Sequence, residues 1–239
     1  MPLIQFTDKG LYCAQGDFYI DPWKPVNKAI ITHAHSDHAR GASKYYLSHH
    51  RAKPILQLRL GDHHFETVEW NEPVMMNGVK ISLHPAGHII GSSQIRLEYN
   101  GDVWVVSGDY KTEDDGLSGA FEPVRCNTFI TESTFGLPIY DWKQQDDLYT
   151  DIRQWVMDNQ AQHLNSVIIA YSLGKAQRVA QAIEGIAPVI WMHGAVWNVH
   201  QALMATGIDL PEGKRVTPET TAAELKNSVV IAPPGADGS

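Results

Sequence analysis

The sequence predicts a mixed α/β protein in two parts, and two observations carry this prediction. Short strand patterns separated by turn signals fill residues 1–138, whereas strand and helix patterns alternate over residues 139–239. Such alternation is typical of parallel βαβ units. The predicted fold class is therefore α/β of the α+β type, with a β-rich domain at 1–138 and an α/β domain at 139–239.

The first domain is built from short strands with many β-branched residues. Asn77-Gly78 and Asn100-Gly101 each lie between two strand patterns, and Asn-Gly is a strong signal for a two-residue hairpin turn. One short helix is predicted at residues 54–60. The predicted strands are residues 3–6, 11–13, 17–20, 28–32, 74–76, 79–83, 94–99, 103–107 and 127–131.

The second domain alternates strands and helices. Helices are predicted at 144–163, 175–186 and 196–206, and strands at 166–171, 189–192 and 229–231. In the first of these helices, helical spacing predicts one shared apolar face for Leu148, Ile152, Trp155 and Val156.

Composition excludes some classes of protein and leaves others open. Of 239 residues, 43% are hydrophobic and 19% are charged, which is ordinary for a folded soluble protein. There is no apolar run of membrane-spanning length, no signal-peptide pattern and no paired cysteine motif, so we expect a cytoplasmic chain without membrane contact. The net charge of −8 is unusual for a nucleic-acid binder. That objection is weak for a metalloenzyme, because bound cations reverse the local field of their carboxylate ligands.

The strongest motif is the segment His33-Ala-His35-Ser-Asp37-His38, which follows a buried strand pattern. Imidazole and carboxylate ligands together suit zinc, manganese or iron rather than calcium. Four such residues within six positions indicate two adjacent ions, because one tetrahedral ion rarely uses all four. The alternative is an exposed polar loop without a ligand role.

Two later residues extend this candidate site. His88 lies between Gly87 and Gly91, which allow tight turns and close backbone approach. A lone loop histidine is more often structural, but next to the first motif we expect His88 to be a metal ligand. Asp109 ends an apolar strand after Ser-Gly, and its two oxygens are suited to bridging two ions. The alternative for Asp109 is an ordinary turn residue.

Two further carboxylates follow predicted strands. We expect Asp21 to hold a ligand histidine in one tautomer, although an Asp before Pro22 is also a common turn residue. Glu132 follows a buried strand and is expected to orient a catalytic histidine or to bind a metal-bound water. The alternative for Glu132 is local capping with Ser133 or Thr134.

The segment Ser172-Leu-Gly-Lys175-Ala-Gln177 joins a strand to a helix. Free N–H groups and Lys175 at a helix start favour an anion such as a substrate phosphate, although a plain turn is equally expected. Four tryptophans are candidates for base stacking but more often belong to a core: Trp142, Trp155, Trp191 and Trp197. No role is predicted for His49, His50, His63, His64 and His163.

Together these motifs resemble a known family. HAHSDH, a later AGH with GSS, and SGD at a strand end are similar to the metallo-β-lactamase fold superfamily. ESTFG and the strand–SLGKAQR–helix segment resemble its β-CASP branch of nucleases. LIQFTDKGLYC, FYIDPWKPV, ITHAHSDHAR and HGAVW most resemble the bacterial ligase-associated DNA exonucleases. The resemblance covers nearly the whole chain and implies an αββα sandwich with an inserted α/β β-CASP domain.

The resemblance also implies a role for each histidine of the motifs. His33, His35 and His88 would hold one metal ion, and Asp37 and His38 the other. Two divalent ions, zinc or manganese, are the implied cofactors.

The carboxylates are assigned in the same way. Asp109 would bridge the two ions, Asp21 would support a ligand histidine, and Glu132 would match the acidic motif that opens the β-CASP insertion. Asp37, Asp109 and Glu132 are thus the expected catalytic carboxylates, and Lys175 is the expected substrate contact.

One departure from the family pattern concerns the end of the sequence. The family has further histidine motifs and sandwich strands after the β-CASP domain, and no segment before Ser239 matches them. We therefore expect a C-terminally truncated chain that lacks the last sandwich elements.

The expected function is that of a metal-dependent phosphodiesterase acting on nucleic acid, most specifically a DNA exonuclease of repair and end processing. Single-stranded DNA is favoured over RNA as substrate, and DNA ligase and helicase are the expected functional partners. Two alternatives stay open: an RNA-processing nuclease of the same fold, and a non-catalytic, metal-binding truncated form. Hydrolysis of small esters or thioesters is a fourth interpretation, which the β-CASP-like second half disfavours.

Overall fold

Residues 2–236 are described by the computed structural model of the chain. The chain divides into two compact units, Met1–Gly136 and Leu137–Ser239. The last three residues of the predicted 139–239 domain lie outside the described range. Several sheets with accompanying helices confirm the mixed α/β class.

The first sheet of unit one has six strands in sequence order. The first three strands are antiparallel neighbours, and the third to the sixth run parallel to each other. The strands are β1 (Gln5–Thr7), β2 (Gly10–Cys13), β3 (Phe18–Ile20), β4 (Lys28–Ile30), β5 (Tyr45–His49) and β6 (His64–Val68). Because β3 to β6 are parallel, the segments that follow them emerge at one edge of the sheet.

The second sheet has five strands in the order β11-β10-β9-β8-β7. The strands are β7 (Val74–Met76), β8 (Val79–Pro85), β9 (Ser93–Tyr99), β10 (Asp102–Val106) and β11 (Thr128–Ile130). Both Asn-Gly pairs form the predicted hairpin turns, and all four residues have the positive φ that such turns require. Since β8 and β10 are both antiparallel to β9, their carboxyl ends share one edge of this sheet.

The core of unit one contains residues from both sheets. Ile30 and Leu47 of the first sheet belong to the same buried cluster as Ile81, Ile95 and Val106 of the second. The alternating pattern of each strand therefore turns one apolar face of each sheet toward the other. This packing holds the two carboxyl-end edges in fixed positions within the unit.

One helix follows the fifth strand of the first sheet. A short 3-10 turn, His50–Ala52, leads into α1 (Lys53–Leu60), which agrees with the helix predicted at 54–60. Pro54 stands in the first turn, where its missing N–H costs no helical hydrogen bond. Strands β5 and β6 were not predicted, because their segments YYLSH and HFETV mix polar and apolar residues without a clear period.

Unit two is a parallel sheet with three helices among its described residues. Its four strands have the order β12-β15-β13-β14, and every neighbouring pair is parallel. Parallel strands with intervening helices agree with the predicted βαβ pattern. The elements are α2 (Gln145–Ala161), β12 (Ser166–Ile169), α3 (Lys175–Ala182), β13 (Ile190–Met192), α4 (Gly194–Met204), β14 (Lys214–Arg215) and β15 (Val229–Ala232).

The predicted apolar face of α2 is only partly buried. Val156 is fully buried and Ile152 packs against the core of unit two. Leu148 and Trp155 are exposed, with 43% and 45% of their surface accessible. The apolar stripe of this helix is therefore wider than the surface that the sheet of unit two covers.

Candidate metal centre

The strand order of unit one brings the sequence motifs to two sheet edges. Asp21 follows β3 and His33 comes shortly after β4, which are neighbouring parallel strands. His88 follows β8 and Asp109 follows β10, at the shared edge of the second sheet. These residues are far apart in sequence, but each follows directly or closely on a strand that ends at one of the two edges.

Four side chains converge on one point. His35 Nδ1 lies 3.1 Å from His33 Nε2 and 3.2 Å from His88 Nε2. Asp109 Oδ2 is 3.8 Å from His33 Nε2 and 3.6 Å from His88 Nε2. One ligand atom from each of these residues lies within 4.8 Å of all the others.

The spacing of these nitrogens fits a metal ion. A tetrahedral zinc ion, with bonds of about 2.0–2.1 Å to imidazole nitrogens, would separate its nitrogen ligands by about 3.3 Å. The observed separations of 3.1 and 3.2 Å are close to that value. Three imidazoles and a carboxylate are also the ligand types that zinc and similar ions prefer.

The protonation states of the buried histidines are compatible with metal binding. Burial, with the neighbouring His38 adding to it, lowers the pKa of His33 well below its ordinary value of 6.5. Burial and the neighbouring His35 lower the pKa of His88 to about 4. Both rings are therefore neutral near pH 7, and a neutral ring has a lone pair to offer a metal ion.

His38 lies on the other side of Asp109. Its Nε2 is 3.1 Å from Asp109 Oδ1, while its Nδ1 is 2.7 Å from Asp21 Oδ2. Burial alone would lower the pKa of His38, but the hydrogen bonds to Asp109 and Asp21 outweigh it and raise the value to about 10. A raised pKa favours a proton on His38 Nε2, between the ring and Asp109 Oδ1, and a cation bound there would replace that proton.

Asp109 therefore faces two groups of ligands with its two oxygens. Oδ2 is directed to His33 and His88, and Oδ1 is directed to His38. Burial opposes ionisation of this carboxyl, yet the hydrogen bond from His38 keeps its pKa below the ordinary value of 3.8. The expected bridging of two ions by Asp109 is compatible with these directions and stays a prediction.

Asp21 is held by the backbone and by a hydroxyl. Its Oδ1 accepts the Thr32 N–H at 2.8 Å, and its Oδ2 accepts the Thr32 hydroxyl as well as facing His38. Such a fixed carboxylate sets the ring orientation of a histidine and leaves the other ring nitrogen free to bind a metal. The supporting role expected for Asp21 is compatible with this position and stays a prediction.

Asp37 is highly exposed, and its contact with His38 is long. Its Oδ2 is 3.8 Å from His38 Nε2, and its side chain is 70% exposed. It lies at the solvent side of the cluster, next to His38 rather than among the four converging residues.

Glu132 has mixed features. Its carboxylate accepts the Thr134 N–H at 2.5 Å, which is the local contact that the alternative interpretation expected. It also lies near enough to His88 for its charge to act on the pKa of that ring. Glu132 therefore makes the local capping contact and also acts electrostatically on His88.

Lys175 belongs to unit two and begins α3. Its ammonium lies 5.1 Å from the centre of the Tyr171 ring, and the side chain is exposed. The Gln177 side chain accepts the Gly174 N–H at 2.8 Å and so takes up one of the free donors before the helix. Of the four tryptophans, Trp191 is buried and Trp197 packs against the core of unit two, whereas Trp142 and Trp155 are exposed.

Several supporting residues were missed from the sequence. The Ser92 hydroxyl accepts the N–H groups of His88 and Ile89 at 3.1 and 3.2 Å and so fixes the loop that carries His88. The Arg59 guanidinium donates to Ala34 O at 2.7 Å and holds the first motif from α1. The GSS segment after His88 was a signal for Ser92, whereas nothing near Arg59 indicated its contact.

The sequence and the fold of this chain were compared with those of known proteins. Residues 20–154 match the model of the metallo-β-lactamase superfamily. A crystal structure of a protein of unknown function from Enterococcus faecalis V583 has the same fold, with a TM-score of 0.56 over 86% of this chain and 58% of that one, at 14% identity.

Curated relatives narrow the family further. A "Probable DNA ligase" of Opitutus terrae is 28% identical over 94% of this chain and 22% of its own length. "Cleavage and polyadenylation specificity factor subunit 3-I" of Arabidopsis thaliana is 26% identical over 67% of this chain and 28% of its own length. "Endoribonuclease YSH1" of Saccharomyces cerevisiae is 28% identical over 48% of this chain and 15% of its own length. The chain thus spans less than a third of these relatives, which confirm the resemblance to the β-CASP nucleases. By the match over residues 20–154, the chain belongs to the metallo-β-lactamase superfamily.

Proposed function

We propose that this chain is a metal-dependent phosphodiesterase that acts on nucleic acid, and specifically a DNA exonuclease of repair and end processing. The observation that carries the proposal is the convergence of His33, His35, His88 and Asp109, with the second oxygen of Asp109 directed to His38. A site with two ligand groups on either side of one carboxylate suits two divalent ions, zinc or manganese.

Each residue has a defined part in this proposal. His33, His35 and His88 would hold one ion, and His38 with Asp37 the other, while Asp109 joins the two groups. Two divalent ions held by these residues would lower the pKa of a water and would stabilise charge on the entering and leaving oxygens of a phosphodiester.

The remaining residues prepare this site. Asp21 fixes the ring of His38 through the 2.7 Å contact with Nδ1 and thereby keeps Nε2 directed to the site. Asp37 lies on the exposed side, where a substrate phosphate would enter, and Glu132 lies close to His88. Lys175 is proposed to contact a phosphate of the bound strand, since its exposed ammonium stands at a helix start.

DNA is favoured over RNA by the coverage of the relatives. The relative named a DNA ligase matches 94% of this chain, whereas the relative named an endoribonuclease matches 48%. The same comparison supports a DNA ligase as functional partner, with a helicase as the second expected partner. RNA hydrolysis is the second candidate, because the proposed reaction takes place at the phosphodiester, which DNA and RNA share.

Cleavage of end-labelled single-stranded DNA tests the proposal, with an RNA of the same sequence in a parallel reaction. Each substrate is incubated with manganese, with zinc, and with a chelator. We expect stepwise, metal-dependent shortening of the DNA with the RNA left intact. Shortening of the RNA alone would select the second candidate, and no cleavage of either substrate would make the chain a non-catalytic, metal-binding form.

A further inference from the structure

A second group of histidines and a carboxylate lies apart from the site described above. His50 Nδ1 is 3.0 Å from Glu69 Oε1, and His49 Nε2 is 3.9 Å from Glu69 Oε2. The three ligand atoms lie within 4.8 Å of one another. The group forms because β5 and β6 are parallel neighbours with His49 opposite Val68, so that His50 and Glu69 both follow their strands at the same edge.

His49 has a buried nitrogen without a partner. Its side chain is fully buried, and Nε2 makes no hydrogen bond among the described residues. Glu69 Oε2, at 3.9 Å from Nε2, is beyond hydrogen-bond distance but near enough for both atoms to bind one ion. A buried polar atom left without a partner is costly, so its retention calls for a reason.

The ring of His49 is held in a fixed position. It stacks on Trp70 with 4.2 Å between ring centres and 9° between ring planes. The indole N–H of Trp70 donates to Ser93 Oγ at 3.1 Å, which fixes the indole in turn. Burial lowers the pKa of His49 to about 3, so the ring is neutral near pH 7. A neutral, immobilised imidazole beside a carboxylate is prepared to bind a cation.

We propose that His49, His50 and Glu69 bind one divalent ion of the zinc class, as a metal site separate from that of His33 and Asp109. Two imidazoles and one carboxylate are an established zinc ligand set, which leaves a fourth position for water. Binding through Nε2 places the ring proton of His49 on Nδ1. The ring therefore gives up the contact in which Nδ1 accepts the Arg51 N–H, which at 3.4 Å is long and weak.

The position of this site connects its ion to the loop that carries His88. Gly91 packs directly on the segment after His50, since a Cβ on Gly91 would lie 2.4 Å from Ala52 N. Gly91 belongs to the loop that carries His88. An ion bound by His49 and His50 would therefore stabilise the segment on which the loop of His88 packs.

Zinc binding to the untagged full chain tests this proposal by counting ions, without any assay of hydrolysis. The chain, His50→Ala, Glu69→Gln and the control His64→Ala are dialysed against the same buffered zinc concentration, and bound zinc is measured per chain. His64 is exposed on β6 and outside the group. We expect His50→Ala and Glu69→Gln each to bind one zinc ion fewer than the unaltered chain, and His64→Ala to bind the same number.

The two altered ligands are exposed, so their replacement leaves the core intact. Equal zinc content in the unaltered chain and in either ligand variant would overturn the proposal. The readout is a difference in the number of bound ions, so it does not depend on the proposed nuclease activity. That activity is tested separately, at the site around Asp109.

Discussion

Asp21 and Asp109 hold His38 from opposite sides of its ring. The 2.7 Å contact at Nδ1 and the 3.1 Å contact at Nε2 fix the orientation of the imidazole and favour a proton on each ring nitrogen. A metal ion bound at Nε2 would replace the proton there and not the one at Nδ1, so the contact with Asp21 is the one that would persist.

Replacement of Asp21 by Asn is expected to weaken the site without unfolding the chain. The amide keeps the shape of the carboxylate but loses the charge that holds the His38 N–H, and loss of such support typically costs about 10–100-fold in metal affinity or activity. Zinc affinity and the rate of oligonucleotide cleavage measure the effect. Asp8→Asn is the control, because Asp8 is exposed and pairs only with Lys24 among the contacts described. Equal affinities and rates for both variants would contradict the role of Asp21.

The candidate site could be predicted from sequence as far as its ligands are clustered in motifs. His33, His35 and His38 lie within six positions, and His88 and Asp109 each follow a strand with glycine beside it. Arg59 acts through a contact that forms only in the folded chain, so no local pattern marks it. The same limit applies to Glu69, which approaches His50 only when two parallel strands pair.

At the scale of elements, the turn at the end of β10 determines where Asp109 stands. Gly108 has a φ of 56°, and a Cβ there would lie 2.6 Å from Thr32 Cβ. Only glycine allows β10 to end this close to the segment after β4. The distance between the two halves of the candidate site therefore depends on one residue without a side chain.

Gly108→Ala is expected to destabilise unit one and to reduce metal binding. The added methyl group must displace Thr32, which costs about 1–3 kcal/mol in addition to the strain of a positive φ. Gly101→Ala is the matched control, since Gly101 has a φ of 82° but open space where its Cβ would stand. Urea unfolding and zinc affinity of the two variants are compared. If both variants lost stability and zinc affinity equally, the close contact with Thr32 would have no effect on either property.

Helix α4 is joined to the following loop by one buried histidine. His200 is fully buried, and its Nε2 lies 2.8 Å from Pro211 O. Burial lowers the pKa of His200 below its ordinary value of 6.5, although the hydrogen bond to Pro211 acts in the opposite direction. In the folded chain the ring therefore stays neutral at a pH where the unfolded chain takes up a proton.

This histidine gives a prediction for the pH dependence of stability. Because the pKa is lower in the folded state, its contribution is fully present above pH 6.5 and is lost as the pH falls below that value. One such group changes the free energy of unfolding by up to about 1.4 kcal/mol per pH unit. His200→Gln keeps a donor for Pro211 O but does not titrate. Urea unfolding between about pH 5 and 7 should show a smaller pH slope for this variant, and an unchanged slope would contradict the assignment.

The elements themselves were predicted unevenly, for a physical reason. Hairpins with Asn-Gly turns were found because the turn and both strands are adjacent in sequence. Strands β5 and β6 were missed because each is stabilised by parallel pairing with distant segments and not by its own pattern. Trp155 shows the same limit in a helix, since spacing identifies an apolar stripe but not which part of it is covered.

At the scale of the whole molecule, two units are joined by an irregular exposed segment. Between β11 and α2 the chain forms no helix or strand, and Phe135, Leu137, Tyr140 and Trp142 along it are exposed. The core of each unit is formed by its own residues. No helix within residues 2–236 is long and apolar enough to cross a bilayer.

Limited proteolysis is expected to cut first between the units. Chymotrypsin prefers aromatic and leucine side chains, and this segment presents them in exposed, irregular backbone. At low protease concentration, two fragments close to residues 1–136 and 137–239 should accumulate, as identified by mass spectrometry. Early cuts within β8, β9 or α4 instead would contradict the division into two units.

In the proposed function, the residues around Asp109 form a metal site at which a phosphodiester is hydrolysed. The most direct measurement compares the unaltered chain with His35→Ala in the cleavage of labelled single-stranded DNA at matched manganese or zinc concentration. His64→Ala serves as the control, and circular dichroism verifies that all three proteins are folded. Loss of a ligand that holds a catalytic ion should lower the rate of His35→Ala by on the order of 1000-fold. His64→Ala should cleave at the rate of the unaltered chain. A chelator should abolish cleavage by both of these proteins. Full activity of His35→Ala, or cleavage that persists in chelator, would contradict the account.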